Sequence, residues 1–306
     1  MAREFHGIDE AGYGPLLGPL VVGRSDFEVV GEESPAEPRA PASSWIGDSK
    51  RILAGSGGRE HLERAVLGCL AHLGRPWTSL GRLVRPLAPD GAWDSLPWYE
   101  ALDATLLPLW TSVENVDATA RAIEAGELFG PARRLTGLTA RVLPESSYNV
   151  LVRATGNKHE TLIQEVMELI DAAWTPDVDH VFAVDRLGGR KRYGAKLAFA
   201  FPFQPLHVCE ETPRLSRYRV EGKGSSAEIF FRVHGEDHHP ECALASMMAK
   251  YLREALMHGF NVYWASRAPG LLPTAGYYED GRRFLDDLLA RGLLDDATRR
   301  ALVRVR

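Results

Sequence analysis

Apolar and polar positions alternate over residues 4–9, where Phe5 and Ile8 mark a short strand, and again over 19–30, around Leu20, Val21 and Val22. The period lengthens to that of a helix over 60–73: Leu62, Ala65, Val66, Cys69, Leu70 and Leu73 share one face and Gly74 stops it. Periodicity weakens over 75–136, where Pro76, Pro86, Pro89, Pro97 and Pro108 interrupt the chain and one helix, 116–125, is legible. A strand over 139–143 precedes one long helix that opens at Ser146. Leu162, Ile163, Val166, Leu169, Ile170 and Ala173 form its stripe, and Pro176 ends it. Residues 180–185 read as a buried strand terminating in an acid. Strand-like runs follow at 206–209, 218–220 and 229–233. Pro240 opens a helix over 242–257, an amphipathic helix spans 282–290, and the arginine-rich tail forms another short one. Residues 31–44, rich in Pro, Glu and Ser, are expected to be a surface loop.

The chain has 306 residues, 45% hydrophobic, enough core for one large or two modest globular domains. Cys69, Cys209 and Cys242 form no C-x-x-C pair and no disulfide framework, which fits a reducing compartment. No apolar run reaches the roughly 18 residues a membrane span needs, and the polar N-terminus does not read as a signal peptide. A cytoplasmic protein without a membrane partner is expected. A net charge of −5 argues against holding nucleic acid by bulk electrostatics, but leaves room for a local basic rim around an acidic site.

Candidate chemistry begins at Gly7-Ile8-Asp9-Glu10-Ala11-Gly12-Tyr13-Gly14-Pro15. Two adjacent carboxylates at a strand end repel each other unless a cation lies between them. The glycines after them let backbone N–H groups approach a phosphate or a sugar. The plain alternative is a β-turn whose acids face water. Asp185 ends a run suited to a central parallel strand, whose C-terminal edge is where open α/β sheets place their sites. The basic loop that follows, with Arg190, Lys191 and Arg192, suits contact with a phosphate backbone. Glu236 and Asp237 stand just before a helix N-terminus, where the dipole favours an ionised carboxylate. His234, His238, His239 and Cys242 raise the idea of zinc, but their spacing matches no common zinc motif and solvated histidines beside a helix cap are expected.

Several of these stretches occur together and in order: Asp9-Glu10-Ala11-Gly12-x-Gly14-Pro15, then Asp48-Ser49-Lys50, the strand ending at Asp185, Pro240 to Lys250 with its small residues, and Gly276-Tyr277. As a set they resemble the type 2 ribonuclease H (ribonuclease HII) family. The resemblance implies an α/β fold with a ribonuclease H-like mixed sheet flanked by helices. It implies one domain over 1–306, with an inserted lobe at about 75–136 that holds Trp77, Trp93, Trp98 and Trp110, and a C-terminal helical part at about 240–306.

The same resemblance implies an endonuclease that cuts RNA in RNA–DNA hybrids, or DNA 5′ of an embedded ribonucleotide, leaving 3′-hydroxyl ends. Asp9, Glu10, Asp185 and Glu236 would be the catalytic ligands, with Asp237 as the fallback for Glu236. A site of four carboxylates without Cys or His takes Mg²⁺ or Mn²⁺ rather than zinc. Gly12, Tyr13, Gly14, Lys50, Arg190, Lys191 and Tyr277 would meet the substrate, Tyr277 against the sugar. The partner would be an RNA–DNA hybrid or ribonucleotide-containing duplex, and the protein a monomer. Tyr13 stands where the family has arginine, Arg186 where glycine follows the third acid, and Glu236 where the fourth acid is aspartate. The chain thus reads as a divergent member. Two alternatives stay open: a related metal nuclease acting on structured DNA, and a non-catalytic nucleic-acid-binding relative.

Overall fold

The alternation over 4–9 and 19–30 produces a hairpin. Strands β1 (Arg3–Ala11) and β2 (Leu20–Val29) pair antiparallel, with Asp9 opposite Gly23. β3 (Arg133–Leu143), which starts well before residue 139, adds to the outer side of β2. On the other side of β1 lies β4 (Asp179–Asp185), parallel to it. A meander follows in space, formed by β5 (Leu206–Glu211), β6 (Leu215–Gly222) and β7 (Ser225–Arg232), the last of them parallel to β4. The result, in a computed structural model that describes residues 3–29, 45–88, 91–93, 95–222 and 224–305, is one mixed sheet in the order β3-β2-β1-β4-β7-β6-β5. β1, β4 and β7 run the same way, so their C-terminal ends share one edge. The expected loop over 31–44 lies outside the described residues.

Both faces of the sheet are covered, giving the mixed α/β architecture flanked by helices that the resemblance implies. One core sets Phe5, Val21, Phe27 and Phe230 against Leu62, Val66, Leu244 and Met247. These last four come from α2 (Gly58–His72) and α8 (Pro240–Arg267). The other sets Ile8, Val22, Phe182 and Ile229 against Tyr148, Leu162, Val166, Ile170 and Leu197. Helices α5 (Glu145–Thr155), α6 (Lys158–Ala173) and α7 (Gly194–Ala200) supply that second set. The short α1 (Ser49–Ala54) leads into α2, while α9 (Tyr278–Ala290) and α10 (Asp296–Leu302) close the chain.

Three expectations need correction. The long helix expected from Ser146 is two helices. Gly156 ends α5 in a left-handed conformation (φ 83°), and the Asn157 side chain caps α6 by accepting the His159 and Glu160 N–H groups. The apolar stripe carries no sign of this break, because its residues, Leu162 to Ala173, all lie in α6. Second, α8 extends to Arg267 rather than 257, since Phe260 and Trp264 continue its buried face. Third, α7 falls where only strands were expected, a single helical turn pair too short to show a period.

The segment 75–136 holds α3 (Leu80–Val84) and α4 (Val113–Glu124), two short 3₁₀ turns and the start of β3. It covers an apolar face: the Trp98 ring packs 6.0 Å from Phe260 and 6.2 Å from Trp264 on α8. The buried Glu63 carboxylate accepts the N–H groups of Leu109, Trp110 and Thr111 at 2.7, 2.5 and 2.9 Å, fixing the segment to α2. Among the described residues no helix is long and apolar enough to cross a membrane.

The position of α8 matters most for the site. A Cβ on Gly7 would stand 2.0 Å from the Glu241 carbonyl carbon, and one on Gly23 would stand 2.4 Å from the Ala245 oxygen. Glycine on the strands and alanine on the helix therefore let α8 rest on the sheet backbone. Burial of Leu244, Met247, Leu252 and Phe260 holds it there, at about 1.5–3 kcal/mol each.

Candidate active site

The shared edge of β1, β4 and β7 collects the acids. β1 and β4 are in register with Ile8 beside Val184, so Asp9 and Asp185 are the next neighbours along that ladder. The Asp185 Oδ1 accepts the Gly235 N–H at 2.8 Å. That contact draws in the 3₁₀ turn Gly235–Asp237 between β7 and α8. The turn buries Glu236, which is 5% exposed, while Asp237 is exposed. Glu236 Oε2 accepts from Ser246 Oγ of α8 at 2.9 Å, and Ser246 meets Ser49 Oγ at 2.8 Å. Neither serine was singled out from the sequence. Ser49 sits in the Asp48-Ser49-Lys50 triplet, where its neighbour's charge drew attention, and Ser246 is one small residue among the alanines of α8.

The electrostatics are those of crowded, desolvated carboxylates. Burial lifts Asp9 well above the usual carboxylate range, and Glu10 and Asp185 add to the effect. Glu10 is pushed up to about 7, by burial first and then by Asp185. Burial also raises Asp185, against the Gly235 N–H and Lys50, and raises Glu236, against its Ser246 bond. Partial burial works against the charge of Lys50, but Glu236, Asp9, Asp185 and Asp48 outweigh it and hold the ammonium above its ordinary range. Asp48 also caps α1, accepting the Lys50 N–H at 2.8 Å.

This donor set fits a hard divalent cation. It is all oxygen, its members favour a compensating positive charge, and Glu10 Oε2 is buried without a hydrogen-bond partner. The carboxylates are neighbours rather than a closed shell: no three of them bring one oxygen each within 4.8 Å of the others.

Gly12 begins the turn after the acids with φ 89°, and a Cβ there would meet the Pro19 oxygen at 2.5 Å. Gly14 is exposed and faces open space. The Tyr13 and His159 rings stand roughly perpendicular, their centres 6.5 Å apart, with the Lys158 ammonium 4.7 Å from the Tyr13 ring centre. The basic loop passes beside this ring, since a Cβ on Gly188 would come within 3.9 Å of Tyr13. Arg190 is tied back to α6, its Nε donating to His159 at 2.8 Å and Nη2 to Glu160 at 3.2 Å, whereas the Lys191 side chain is exposed. Tyr277 is half exposed, with the Arg253 guanidinium 5.5 Å from its ring centre. Tyr277 lines a cavity of about 570 Å³ together with Gly12, Arg59, Trp110, Lys250 and Arg253.

The histidines of 234–239 do not gather around Cys242, whose Sγ is turned to the Ile8 oxygen at 3.5 Å. His239 is buried at 7% exposure, contrary to the solvated histidine expected.

At the opposite end of β1 and β4, Glu4, His6 and His180 form a tighter group, with one ligand-type atom each inside 4.8 Å. Here the geometry favours a proton over a metal. The two ring centres are 5.2 Å apart for a nitrogen separation of 3.0 Å, so the nitrogens point at each other end to end. Asp26 Oδ1 accepts from His6 Nδ1–H at 2.7 Å, and His180 Nε2 lies 3.2 Å from the Thr175 N–H and 3.1 Å from the Thr175 oxygen. His6 Nε2 and His180 Nδ1 share the hydrogen bond between the two rings. Burial pushes the His180 imidazole down to about 4, so it stays neutral.

No protein-family model matches the chain, and no curated protein matches it. Among solved structures it is similar to RNase HII in its complex with PCNA from Archaeoglobus fulgidus, at 16% identity and a TM-score of 0.44, covering 99% of this chain and 94% of that one. It is also similar to ribonuclease H2 from Pyrococcus horikoshii OT3, at 12% identity and a TM-score of 0.44, covering 98% and 92%. Bst-RNase HIII in complex with Mn²⁺ matches at 16% identity and a TM-score of 0.42, covering 99% of this chain and 66% of that one. At these identities the likeness concerns the chain trace alone.

Proposed function

We propose that this protein is a divalent-metal-dependent endonuclease that hydrolyses phosphodiesters of RNA in RNA–DNA hybrids or at embedded ribonucleotides. The observation that carries the reading is the meeting of Asp9, Glu10, Asp185 and Glu236 beside Lys50, at the C-terminal edge of three parallel strands. Asp9, Glu10, Asp185 and Glu236 would hold Mg²⁺ or Mn²⁺. Bound there, such ions supply Lewis acidity and a water of lowered pKa.

The chain's own residues do the rest. Lys50, kept protonated by the carboxylates, balances the charge of an incoming phosphodiester. The exposed Gly14 leaves the turn open to a sugar, and the half-exposed Tyr277 ring offers it an apolar face. The basic loop passes on the side of Tyr13, where the exposed Lys191 would meet a phosphate while Arg190 is held by His159 and Glu160. In the reaction a water oxygen bonds to phosphorus as the bond from phosphorus to O3′ breaks. The water's proton ends on that leaving oxygen, giving a 3′-hydroxyl and a 5′-phosphate.

The test sets three labelled duplexes of one sequence side by side with Mn²⁺ or Mg²⁺: an RNA–DNA hybrid, a DNA duplex with one ribonucleotide, and DNA alone. Cleavage of the first two that disappears in Asp9→Asn and Asp185→Asn supports the reading. Cleavage of all three equally would move the substrate to DNA, and binding without any cleavage would leave a non-catalytic nucleic-acid-binding protein.

A further inference from the structure

We propose that Arg304, brought in from the C-terminal tail, is a positioning residue that sets the Gly12–Tyr13 peptide for substrate, so that sugar recognition depends on the far end of the chain. The proposal rests on the nuclease reading for its substrate, and on geometry alone for its mechanics.

Asn149 clamps the tail onto α5. Its Nδ2 donates to the Val303 oxygen at 2.9 Å, and its Oδ1 accepts the Val305 N–H at 2.8 Å. Between those two bonds the Arg304 N–H donates to the Leu16 oxygen at 3.0 Å, stitching the tail to the turn after β1. The side chain, 3% exposed, then runs under the turn. Nη1 donates to the Gly12 oxygen at 2.5 Å and reaches the Gly18 oxygen at 3.5 Å, and the guanidinium lies 3.7 Å from the centre of the Tyr148 ring. Arg253 grips the other limb, its Nη2 donating to the oxygens of Leu17 at 3.4 Å and Ala275 at 2.8 Å.

A trans peptide carries its C=O and the following N–H in opposite directions. With the Gly12 carbonyl held inward by Arg304, the Tyr13 N–H is turned outward, toward the side where Gly14 is open. Among the described residues that N–H has no acceptor. A glycine turn with carbonyls drawn in and amides turned out is a cradle for an oxygen-rich ligand such as a ribose hydroxyl or a phosphate. Retention of a guanidinium in this place is costly: Nε and Nη2 of Arg304 are buried against the Tyr148 ring without a hydrogen-bond acceptor. An apolar side chain would fill the space at less cost, but would leave the Gly12 oxygen unpaired and the peptide free to turn.

The experiment compares the full-length wild type with Arg304→Met and Arg304→Lys. Amide exchange over residues 12–18 should rise about tenfold or more in Arg304→Met, while exchange in the sheet is unchanged. KM for the duplex with one ribonucleotide should rise about tenfold, with Mn²⁺ affinity by calorimetry within about twofold of wild type. Arg304→Lys, which can still donate to the Gly12 oxygen, should recover most of both effects. Wild-type exchange in Arg304→Met, or a KM loss that Arg304→Lys does not relieve, overturns the proposal. Should Arg304→Met fail to fold, Arg304→Gln, whose shorter side chain ends before the place of the guanidinium, takes its place in the same exchange readout: raised exchange over residues 12–18 supports the proposal and wild-type exchange overturns it. A wild-type protein that cuts no ribonucleotide-containing duplex defeats the nuclease reading instead, and the exchange data still judge Arg304.

Discussion

Gly7 lies directly beneath Glu241: a Cβ on the glycine would come within 2.0 Å of the Glu241 carbonyl carbon and 2.1 Å of its oxygen. Because the atoms in the way are helix backbone, no rotamer can relieve the clash. Gly7→Ala should therefore lift α8 from the sheet and cost about 3 kcal/mol. Ser246 and Glu236 ride on or next to α8, so Mn²⁺ binding should weaken in the same variant. Urea unfolding with calorimetry checks both, and wild-type values for either would contradict this account of the helix position.

Asp185→Asn should raise stability without metal while ending cleavage. Glu10 is held at about 7 by burial first and Asp185 second, so removal of one charge relieves the other. A gain of about 1–2 kcal/mol at pH 8 is expected in chelator. Wild type should gain about 2.7 kcal/mol from Mn²⁺ at a hundredfold excess over Kd, and the variant far less. Thermal melts with EDTA and with Mn²⁺ make the comparison. A variant less stable than wild type in EDTA would contradict the charge-crowding argument.

Glu145 should impose a pH dependence on stability. It is fully buried beside Tyr99, and burial pushes its carboxyl up to about 7 from the ordinary 4.5. The folded state thus holds the proton more tightly than the unfolded chain. Its stabilising contribution is complete below pH 4.5 and is lost as pH rises through 7. The total is about 3 kcal/mol. Glu145→Gln should remove that slope, and the difference between the two stability curves from pH 4 to 8 isolates it. Parallel curves would rule the mechanism out.

Ser246→Ala removes the hydroxyl that donates to Glu236 Oε2 at 2.9 Å and meets Ser49 at 2.8 Å. Loss of the bond should cost only about 1 kcal/mol of stability. The orientation of Glu236 should suffer more, with Mn²⁺ affinity falling about 10–100-fold. Calorimetric titration of the two proteins reads this directly, and equal affinities would show that Ser246 does not orient Glu236.

Much of this was legible in the sequence because it is local. Alternation marks β1 and β2, the apolar run ending in Asp185 marks a central strand, and Pro240 marks the start of α8. The acids stood out because each sits at an element boundary, where a carboxylate is not needed for packing. The split between α5 and α6 was hidden because both helices turn apolar residues to one core. The Ser246–Glu236 bond was hidden because a serine among alanines satisfies helix packing as well as it satisfies a hydrogen bond. Arg304 was unreadable: an arginine near a chain end looks like a solvated charge, and only its place under the turn gives it work.

By itself, then, the chain determined most of the strands and helices, where the glycine turn falls, and that hard, charged oxygen ligands stand beside it. Only the tertiary structure decided that Asp9, Asp185 and Glu236 share one desolvated edge, and that Arg304 reaches the Gly12 oxygen from 292 residues away. The physical reason is range. Backbone preference and side-chain periodicity act over a few residues and leave their mark in order, whereas a contact across the sheet depends on how α8 seats on Gly7 and Gly23, which no single stretch encodes.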